Sequence, residues 1–275
     1  MELWFTEQQT DNVRFSCRVK ETVYTGRSAF QDIALYDTVE FGRMLVLDGY
    51  VQTTVRDEFV YHEMIAHVPL FTHPAPRRVL VIGGGDGGTV REVLKHPTVT
   101  EVTMVEIDAE VVSVCHRYLP ETSSQLHDPR VAVIATDGIR FVREAKEKYD
   151  VIIIDSSEPV GPGAGLFTRE FYQSVHDALG EDGVMVAQSE SPFFNADLIR
   201  QVFAAVKGVF PVALLYTAHV PTYPSGMWTF TLGSKGRDPR QGDAARLPGL
   251  ATRYYTPALQ RGAFMLPRLV ADLLE

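Results

Sequence analysis

The stretch VLVIGGGDGG, residues 79–88, joins an apolar run to a cluster of glycines, and a helical pattern follows at 89–95. Glycines at a strand-to-helix turn let the backbone approach a ligand closely, because no Cβ stands in the way. The stretch therefore predicts a buried strand, a ligand-binding turn and a helix, which is the first unit of an α/β fold.

Asp86 is an unusual residue for such a turn. In dinucleotide-binding proteins the helix N-terminus beside the glycines binds phosphate groups, and a carboxylate there would repel them. Asp86 therefore indicates a ligand that carries positive charge near the glycines. The alternative is that Asp86 only caps the following helix, and taken alone the residue leaves both functions open.

Further apolar runs continue the pattern of alternating strands and helices. They lie at 102–105, 131–134, 151–154 and 184–187, and helical patterns lie at 109–118, 139–147, 168–179 and 195–206. Near-continuous apolar strands suit a parallel sheet that is buried on both faces. We predict a last strand near 227–232 at an edge of this sheet, and a mobile loop in the polar stretch 236–248.

The first 55 residues have a different pattern. Short alternating segments at 13–19, 31–36, 44–47 and 51–54 are separated by turn signals such as Asp48-Gly49, and they predict a small antiparallel sheet of hairpins. A helix should run from Glu58 to about Val68, because Pro69 would end it. We therefore expect two domains, a β-hairpin domain at 1–56 and a larger α/β domain at 57–275.

Composition limits the class of protein. Of the 275 residues 45% are hydrophobic, no long apolar run is present, and the N-terminus lacks a signal core, so we expect a cytoplasmic protein without a transmembrane helix. Cys17 and Cys115 form no disulfide framework and are expected to be buried apolar residues. The net charge of −9 argues against nucleic acid and is compatible with cationic ligands. The histidines show no metal-ligand spacing, so we predict no metal site.

Acidic residues follow the predicted strands at the ends where ligands bind in parallel α/β sheets. Glu106 ends the second strand, where a ribose-binding acid belongs. Asp137 follows the third strand at a position suited to an adenine amino group, and Asp155 follows the fourth. A pocket lined by Asp86, Asp155 and Glu158 favours a cation or several amines.

Several of these positions have a structural alternative. Asp108 and Asp137 each precede a helical pattern and could cap it, and for Asp108 we predict the cap. A histidine on an apolar helix, such as His62, is more often a packing residue than a ligand. The glycine-rich stretch 157–165, which follows Asp155, predicts a lid over the site.

The chain closely resembles the spermidine synthases of the polyamine aminopropyltransferase family. The matching segments run along nearly the whole chain in the family's order. They include LDGYVQTT (47–54), RDEFVYHEMIAHVPLF (56–71), VLVIGGGDGGTVREVLKHP (79–97), VEID (105–108), YDVIIIDSSEPVGP (149–162) and PTYPSGMWTF (221–230). At the position of Glu158 the family often carries Asp.

The resemblance implies a Rossmann-like, class I methyltransferase-like sheet, mostly parallel with helices on both faces, after a small N-terminal antiparallel β domain. It implies that the aminopropyl group of decarboxylated S-adenosylmethionine is transferred to putrescine, which gives spermidine and S-methyl-5'-thioadenosine. It also implies a homodimer or homotetramer that holds no tightly bound cofactor and no metal.

The resemblance further implies which residues bind each substrate. The nucleoside would be bound by Gln31, Gln52, Gly83, Asp86, Glu106, Asp137, Gly138 and Pro162. The polyamine would be bound by Tyr61, His62, Asp86, Asp155, Glu158, Gln188 and Tyr223. Asp155 would be the catalytic proton acceptor.

Other functions remain as alternatives. One is a small-molecule methyltransferase that uses S-adenosylmethionine, and Asp86 argues against it because it would repel the α-carboxylate of that cofactor. Another is an aminopropyltransferase for a different amine, such as agmatine or cadaverine. A nucleotide-binding oxidoreductase or a silent binding protein is a third, and the acids at the strand ends disfavour its phosphate-bearing ligand.

Overall fold

The computed structural model describes residues 2–146, 148–157 and 165–275. Within them the chain forms a five-stranded N-terminal sheet and a seven-stranded sheet with helices on both faces. The predicted fold class is therefore confirmed. No helix in these segments is long and apolar enough to cross a membrane.

The N-terminal sheet is a series of antiparallel hairpins in chain order. Its strands are β1 (Leu3–Thr10), β2 (Val13–Arg27), β3 (Asp32–Thr38), β4 (Gly42–Leu47) and β5 (Tyr50–Thr54). The sequence analysis missed β1, because most of its side chains are exposed or half-buried and form no apolar alternation. One face of this sheet packs Ile33, Leu35 and Leu45 against Val114 and Cys115, which lie on the helix at Ala109–Tyr118.

The seven-stranded sheet has the order β11-β12-β10-β9-β6-β7-β8. Its strands are β6 (Arg78–Gly83), β7 (Glu101–Glu106), β8 (Val131–Ala135), β9 (Tyr149–Asp155), β10 (Leu179–Gln188), β11 (Val212–His219) and β12 (Met227–Ser234). The strands β6 to β10 are parallel, and β12 is antiparallel to both of its neighbours.

The prediction for the last strand was wrong in one respect. β12 does not lie at an edge, because it pairs with β10 on one side and with β11 on the other. The edge strand on this side of the sheet is β11, which was not predicted from the sequence. Its half-buried residues, 212–214 and 217, give it a weaker apolar pattern than the almost fully buried β12.

The α-helices cover both faces of this sheet. They are α1 (Glu58–Thr72), α2 (Gly88–Leu94), α3 (Ala109–Tyr118), α4 (Pro120–Ser123), α5 (Gly138–Glu144), α6 (Arg169–Ala178), α7 (Ala196–Lys207), α8 (Pro257–Gly262) and α9 (Arg268–Ala271). The predicted end of α1 at Pro69 was wrong, since the helix continues to Thr72. Almost every residue of α1 is buried, so core packing outweighs the hydrogen bond that Pro69 cannot donate.

The segment 236–248, predicted to be a mobile loop, packs against the end of α1. It contains two short 3-10 helices, Pro239–Gln241 and Ala244–Arg246. The Asp243 N–H donates to the carbonyl of Phe71, and the Arg246 guanidinium donates to carbonyls at the end of α1. These contacts satisfy carbonyl groups that a helix end would otherwise leave without a partner.

The glycine turn is fastened to the end of β9. Gly83 has φ +85°, and a Cβ at this position would lie 2.1 Å from the backbone oxygen of Asp155. The N–H of Gly84 donates to the same oxygen at 2.9 Å. Only glycine permits both the left-handed conformation and this close approach, which places Asp86 and Asp155 at one edge of the sheet.

We predict that Gly83→Ala destabilises the protein by about 3 kcal/mol or more, because strain in the backbone adds to overlap with the Asp155 carbonyl. Gly49→Ala is the matched control, since Gly49 has φ +88° but no atom lies within 4 Å of the position that its Cβ would take. Gly49→Ala should lower the free energy of unfolding by only about 1 kcal/mol. Urea unfolding of the two variants measures both losses, and equal losses would contradict the close-packing argument.

Candidate active site

One cavity of about 340 Å³ lies at the carboxyl ends of the parallel strands and reaches the N-terminal sheet. Every predicted site residue that the structure describes lines it: Gln31, Gln52, Tyr61, His62, Gly83, Asp86, Glu106, Asp137, Gly138, Asp155, Gln188 and Tyr223. The sequence analysis therefore selected residues that meet in space. Glu158, Pro162 and the central part of the predicted lid lie outside the described residues.

Asp155 ends β9, and two hydroxyl groups hold its carboxylate. The Tyr61 hydroxyl donates to Oδ1 at 2.6 Å, and the Thr89 hydroxyl donates to Oδ2 at 2.6 Å. Burial raises the pKa of Asp155; His62 opposes this rise and the nearby Asp86 adds to it. Each oxygen has a second lone pair, so the carboxylate can still accept a proton or an N–H group from the cavity.

Asp86 both caps a helix and faces the cavity, so its two predicted functions do not exclude each other. Its Oδ1 accepts from the N–H of Gly88 at 2.8 Å, and its Oδ2 lies 3.4 Å from Nε2 of His62. Burial disfavours the ionised carboxylate, but His62 outweighs this cost, and the pKa of Asp86 is lowered. Asp86 therefore carries negative charge at the glycine turn.

His62 is more than a packing histidine, because it lies between two carboxylates. Its Nδ1 is 2.6 Å from Oε2 of Glu58, opposite to Asp86. Burial alone would lower the pKa of His62, yet Asp86 and Glu58 raise it well above its usual value. Glu58 in turn accepts two hydrogen bonds from the Arg91 guanidinium, at 2.8 and 3.1 Å. The buried charges thus alternate in sign.

The other half of the cavity is built around Glu106. Its Oε1 accepts from the N–H of Asp108 at 2.9 Å, and burial raises the pKa of Glu106 to about 7. Asp108 caps α3 through the N–H of Glu110, as predicted. Its Oδ2 also accepts from the side-chain amide of Gln31 at 2.8 Å, which holds Gln31 at the cavity.

Asp137, like Asp86, combines a helix cap with a place at the cavity. Its side chain caps α5 by accepting from the N–H groups of Ile139 and Arg140, and it also lines the cavity. The cap fixes the carboxylate at the end of β8. Asp137 therefore faces the cavity from a fixed position, as a strand-end ligand residue should.

The sequence analysis missed two buried acids of the cavity, Glu7 and Glu190. Glu7, on β1, is 2% exposed and accepts from the N–H of Val51 at 2.7 Å. Glu190 follows β10, has φ +68° and accepts from the side-chain amide of Gln188 at 3.2 Å. The strand-end rule would have found Glu190 if it had been applied to β10. Glu7 gave no signal, because β1 itself was not predicted.

The cavity combines negative charge with aromatic walls. Seven acids line it, namely Glu7, Asp48, Asp86, Glu106, Asp137, Asp155 and Glu190, and no Lys or Arg lines it among the residues described. The rings of Tyr61 and Tyr223 lie 5.7 Å apart, and Trp228 packs on Tyr223 at 4.6 Å. Such a site suits an organic cation. Nowhere in 2–146, 148–157 and 165–275 do three His, Cys, Asp or Glu side chains group to hold a metal.

Two family models match the chain. The spermine/spermidine synthase domain matches residues 58–241, and the spermidine synthase tetramerisation domain matches residues 3–55. Curated relatives agree with these matches. The polyamine aminopropyltransferase of Caldicellulosiruptor saccharolyticus is 55% identical, over 100% of this chain and 99% of its own. That of Desulforudis audaxviator is 54% identical, over 99% of each chain.

Solved structures give the same result. The spermidine synthase of Thermotoga maritima superposes with a TM-score of 0.95 at 41% identity, and the match covers 99% of this chain and 94% of that one. A spermidine synthase in complex with the transition-state analogue AdoDATO superposes with a TM-score of 0.97 at 42% identity and the same coverage. The arrangement of the two sheets is therefore similar to that in these two structures.

We predict that Glu106→Gln stabilises the free protein at about pH 8 and changes it little near pH 4.5. The raised pKa of about 7 means that the folded protein favours the neutral form of Glu106. The stability that this neutral carboxyl group contributes to the fold is therefore lost as the pH rises from about 4.5 to 7. Glutamine stays neutral, so the free energy of unfolding of Glu106→Gln should exceed that of wild type by up to about 3 kcal/mol above pH 7. Urea unfolding at both pH values measures it, and a gain that does not depend on pH would contradict the assignment.

Proposed function

Because the chain belongs to the spermine/spermidine synthase family and is a polyamine aminopropyltransferase, we propose that it uses decarboxylated S-adenosylmethionine and putrescine to make spermidine and S-methyl-5'-thioadenosine. The observation that carries this proposal is the pair of carboxylates, the buried Asp86 and the half-buried Asp155, in a cavity lined by acids and aromatic rings. The first would bind the aminopropyl ammonium group, and the second would accept the proton of the attacking amine.

Asp86 supports the decarboxylated cofactor over ordinary S-adenosylmethionine. Its ionised side chain lies at the glycine turn, where the sulfonium end of the cofactor would bind. The decarboxylated form presents an ammonium group alone, which Asp86 attracts. Ordinary S-adenosylmethionine adds a carboxylate, and two like charges in a desolvated site repel each other strongly.

The nucleoside half of the cofactor fits the other strand ends. We assign the ribose hydroxyls to Glu106, which is a hydrogen-bond acceptor at the end of β7. Asp137 and Gly138 would bind the adenine, and Pro162, which lies outside the described residues, stays a predicted member of the same site. Gln31, which Asp108 holds in place, would complete the ribose site, and Gln52 and Gly83 would contact the aminopropyl end.

The amine would lie between the aromatic rings and the acids beyond them. Tyr61 and Tyr223 form apolar walls that would desolvate the chain of methylene groups. Gln188 and Glu190 line the same cavity, and with Glu158 they would bind the far ammonium group. The missed acid Glu7 adds a further carboxylate at the cavity. A diamine thus has acids available for each of its nitrogens.

The reaction requires that the amine loses a proton before it attacks. An alkyl ammonium group resembles lysine, whose pKa is about 10.4, so the amine binds mostly in its charged form. Asp155 would accept one proton, and the free nitrogen would attack the propyl carbon bonded to the sulfonium sulfur. A C–N bond forms as the C–S bond breaks, and the sulfur keeps the electron pair and leaves as a neutral thioether.

We also propose that the N-terminal sheet forms contacts between copies of the chain. The family model that matches residues 3–55 is described as a tetramerisation domain. This sheet carries exposed apolar side chains, including Leu3, Trp4 and Val13, each at least 39% exposed. Their burial between copies would explain why they are apolar.

Product analysis tests the proposed reaction. The enzyme should convert putrescine and decarboxylated S-adenosylmethionine to spermidine faster than it uses cadaverine, agmatine or spermidine. Asp155→Asn should lower this turnover about 10²- to 10⁴-fold, because the positioned proton acceptor is lost. Its affinity for methylthioadenosine should stay close to wild type. Faster use of another amine, or near-normal turnover in Asp155→Asn, would contradict the proposal.

We predict that Asp86→Asn reverses part of the cofactor discrimination. Loss of the negative charge should weaken binding of decarboxylated S-adenosylmethionine about tenfold or more and should ease binding of S-adenosylmethionine. Calorimetry with the two cofactors measures both effects. Methylthioadenosine, which lacks the aminopropyl group, is the control ligand and should bind nearly as before. If neither cofactor responds, Asp86 acts only as the helix cap.

A further inference from the structure

Two hydroxyl groups from two different helices fix the carboxylate of Asp155. Tyr61 lies on α1 and donates to Oδ1, whereas Thr89 lies on α2 and donates to Oδ2. Both distances are 2.6 Å, in the range of strong hydrogen bonds to a charged acceptor. The resemblance to a known family assigned Tyr61 to the site, but it assigned nothing to Thr89.

The hydroxyl of Thr89 does not serve its own helix. Threonine in a helix commonly turns its hydroxyl back to a carbonyl one turn earlier. Thr89, which is fully buried near the start of α2, donates instead to Asp155 at the end of β9, 66 residues along the chain. A hydroxyl group has one proton, so this donation excludes any other.

We propose that Thr89 is a positioning residue, whose hydroxyl holds the carboxylate of Asp155 in the orientation that accepts the proton of the amine. This inference rests on the proposed function of Asp155. With a donor on each oxygen, the carboxyl group cannot turn about its Cβ–Cγ bond without breaking a hydrogen bond. One lone pair on each oxygen stays available to a group in the cavity that Asp155 lines, and a general base needs such a fixed geometry.

The charges around Asp155 make this donor important. Three other ionisable groups face it: His62 from α1, Asp86 from the glycine turn and Glu106 from β7. Two of them are acids, which disfavour a further ionised carboxylate. Without the Thr89 hydroxyl, the carboxylate would keep the hydrogen bond from Tyr61 on one oxygen and lose its partner on the other. The ionised form would lose stability and the carboxyl group would gain freedom to rotate.

The test compares Thr89→Val, which removes the hydroxyl with little change in shape, with Thr89→Ser, which keeps it. Thr89→Val should lower kcat about tenfold and leave both KM values within about twofold, because the hydroxyl acts on the base and not on binding. The acid limb of its pH–rate profile should move up by about one pH unit. Thr89→Ser should recover most of the lost turnover.

Thr72→Val is the matched control for a buried threonine. Its hydroxyl donates to the carbonyl of Val68 at the end of α1, away from the cavity, so removal should affect stability and not the pH profile. If Thr89→Val does not fold, Thr89→Ala removes the same hydroxyl without added bulk and gives the same comparison. Equal losses in the Val and Ser variants would overturn the inference, because they would show a purely steric effect.

A second measurement does not depend on activity. Infrared spectra of enzyme labelled with 13C-aspartate, with Asp155→Asn as the blank, follow the ionisation of Asp155 directly. The midpoint should rise by about one pH unit in Thr89→Val and should return towards wild type in Thr89→Ser. An unchanged midpoint together with an unchanged kcat would overturn the inference. If wild type transfers no aminopropyl group to any amine, the proposed function fails, and this titration still decides the role of Thr89.

Discussion

The contact between the glycine turn and the end of β9 is the constraint on which the site depends. Gly83 packs on the backbone oxygen of Asp155 with no space for a Cβ, and Gly84 donates a hydrogen bond to the same oxygen. This contact brings two strand ends closer than ordinary side chains would permit. Asp86 and Thr89, at the turn and the helix that follows it, therefore lie at the same site as Asp155, which is 66 residues further along the chain than Thr89.

Such a site must keep several carboxylates ionised in a buried position. The protein achieves this with charges that alternate in sign, from Asp86 through His62 and Glu58 to Arg91. Each of these four groups has a partner of opposite charge, because an unpaired buried ion would be strongly destabilising. Asp155 is stabilised differently, by two neutral hydroxyl groups, and this leaves it more basic than Asp86.

The main elements of the fold could be predicted from the sequence because their signals are local. Apolar runs followed by glycines or acids mark the strands β6, β7, β9 and β10 and the ends at which the cavity lies. The errors occurred where packing decided the outcome. β12 lies inside the sheet because β11 covers it, and α1 continues beyond Pro69 because the surrounding core compensates.

The sequence by itself determined the α/β fold class and the family resemblance, and those predicted site residues that the structure describes do meet at one cavity. Only the tertiary structure decided what each acid contacts. It showed that Asp86 caps a helix and pairs with His62, that Thr89 holds Asp155, and that Glu7 reaches the cavity from β1. The physical reason is that strand and helix patterns depend on neighbours in the chain, whereas hydrogen bonds and charge pairs depend on neighbours in space.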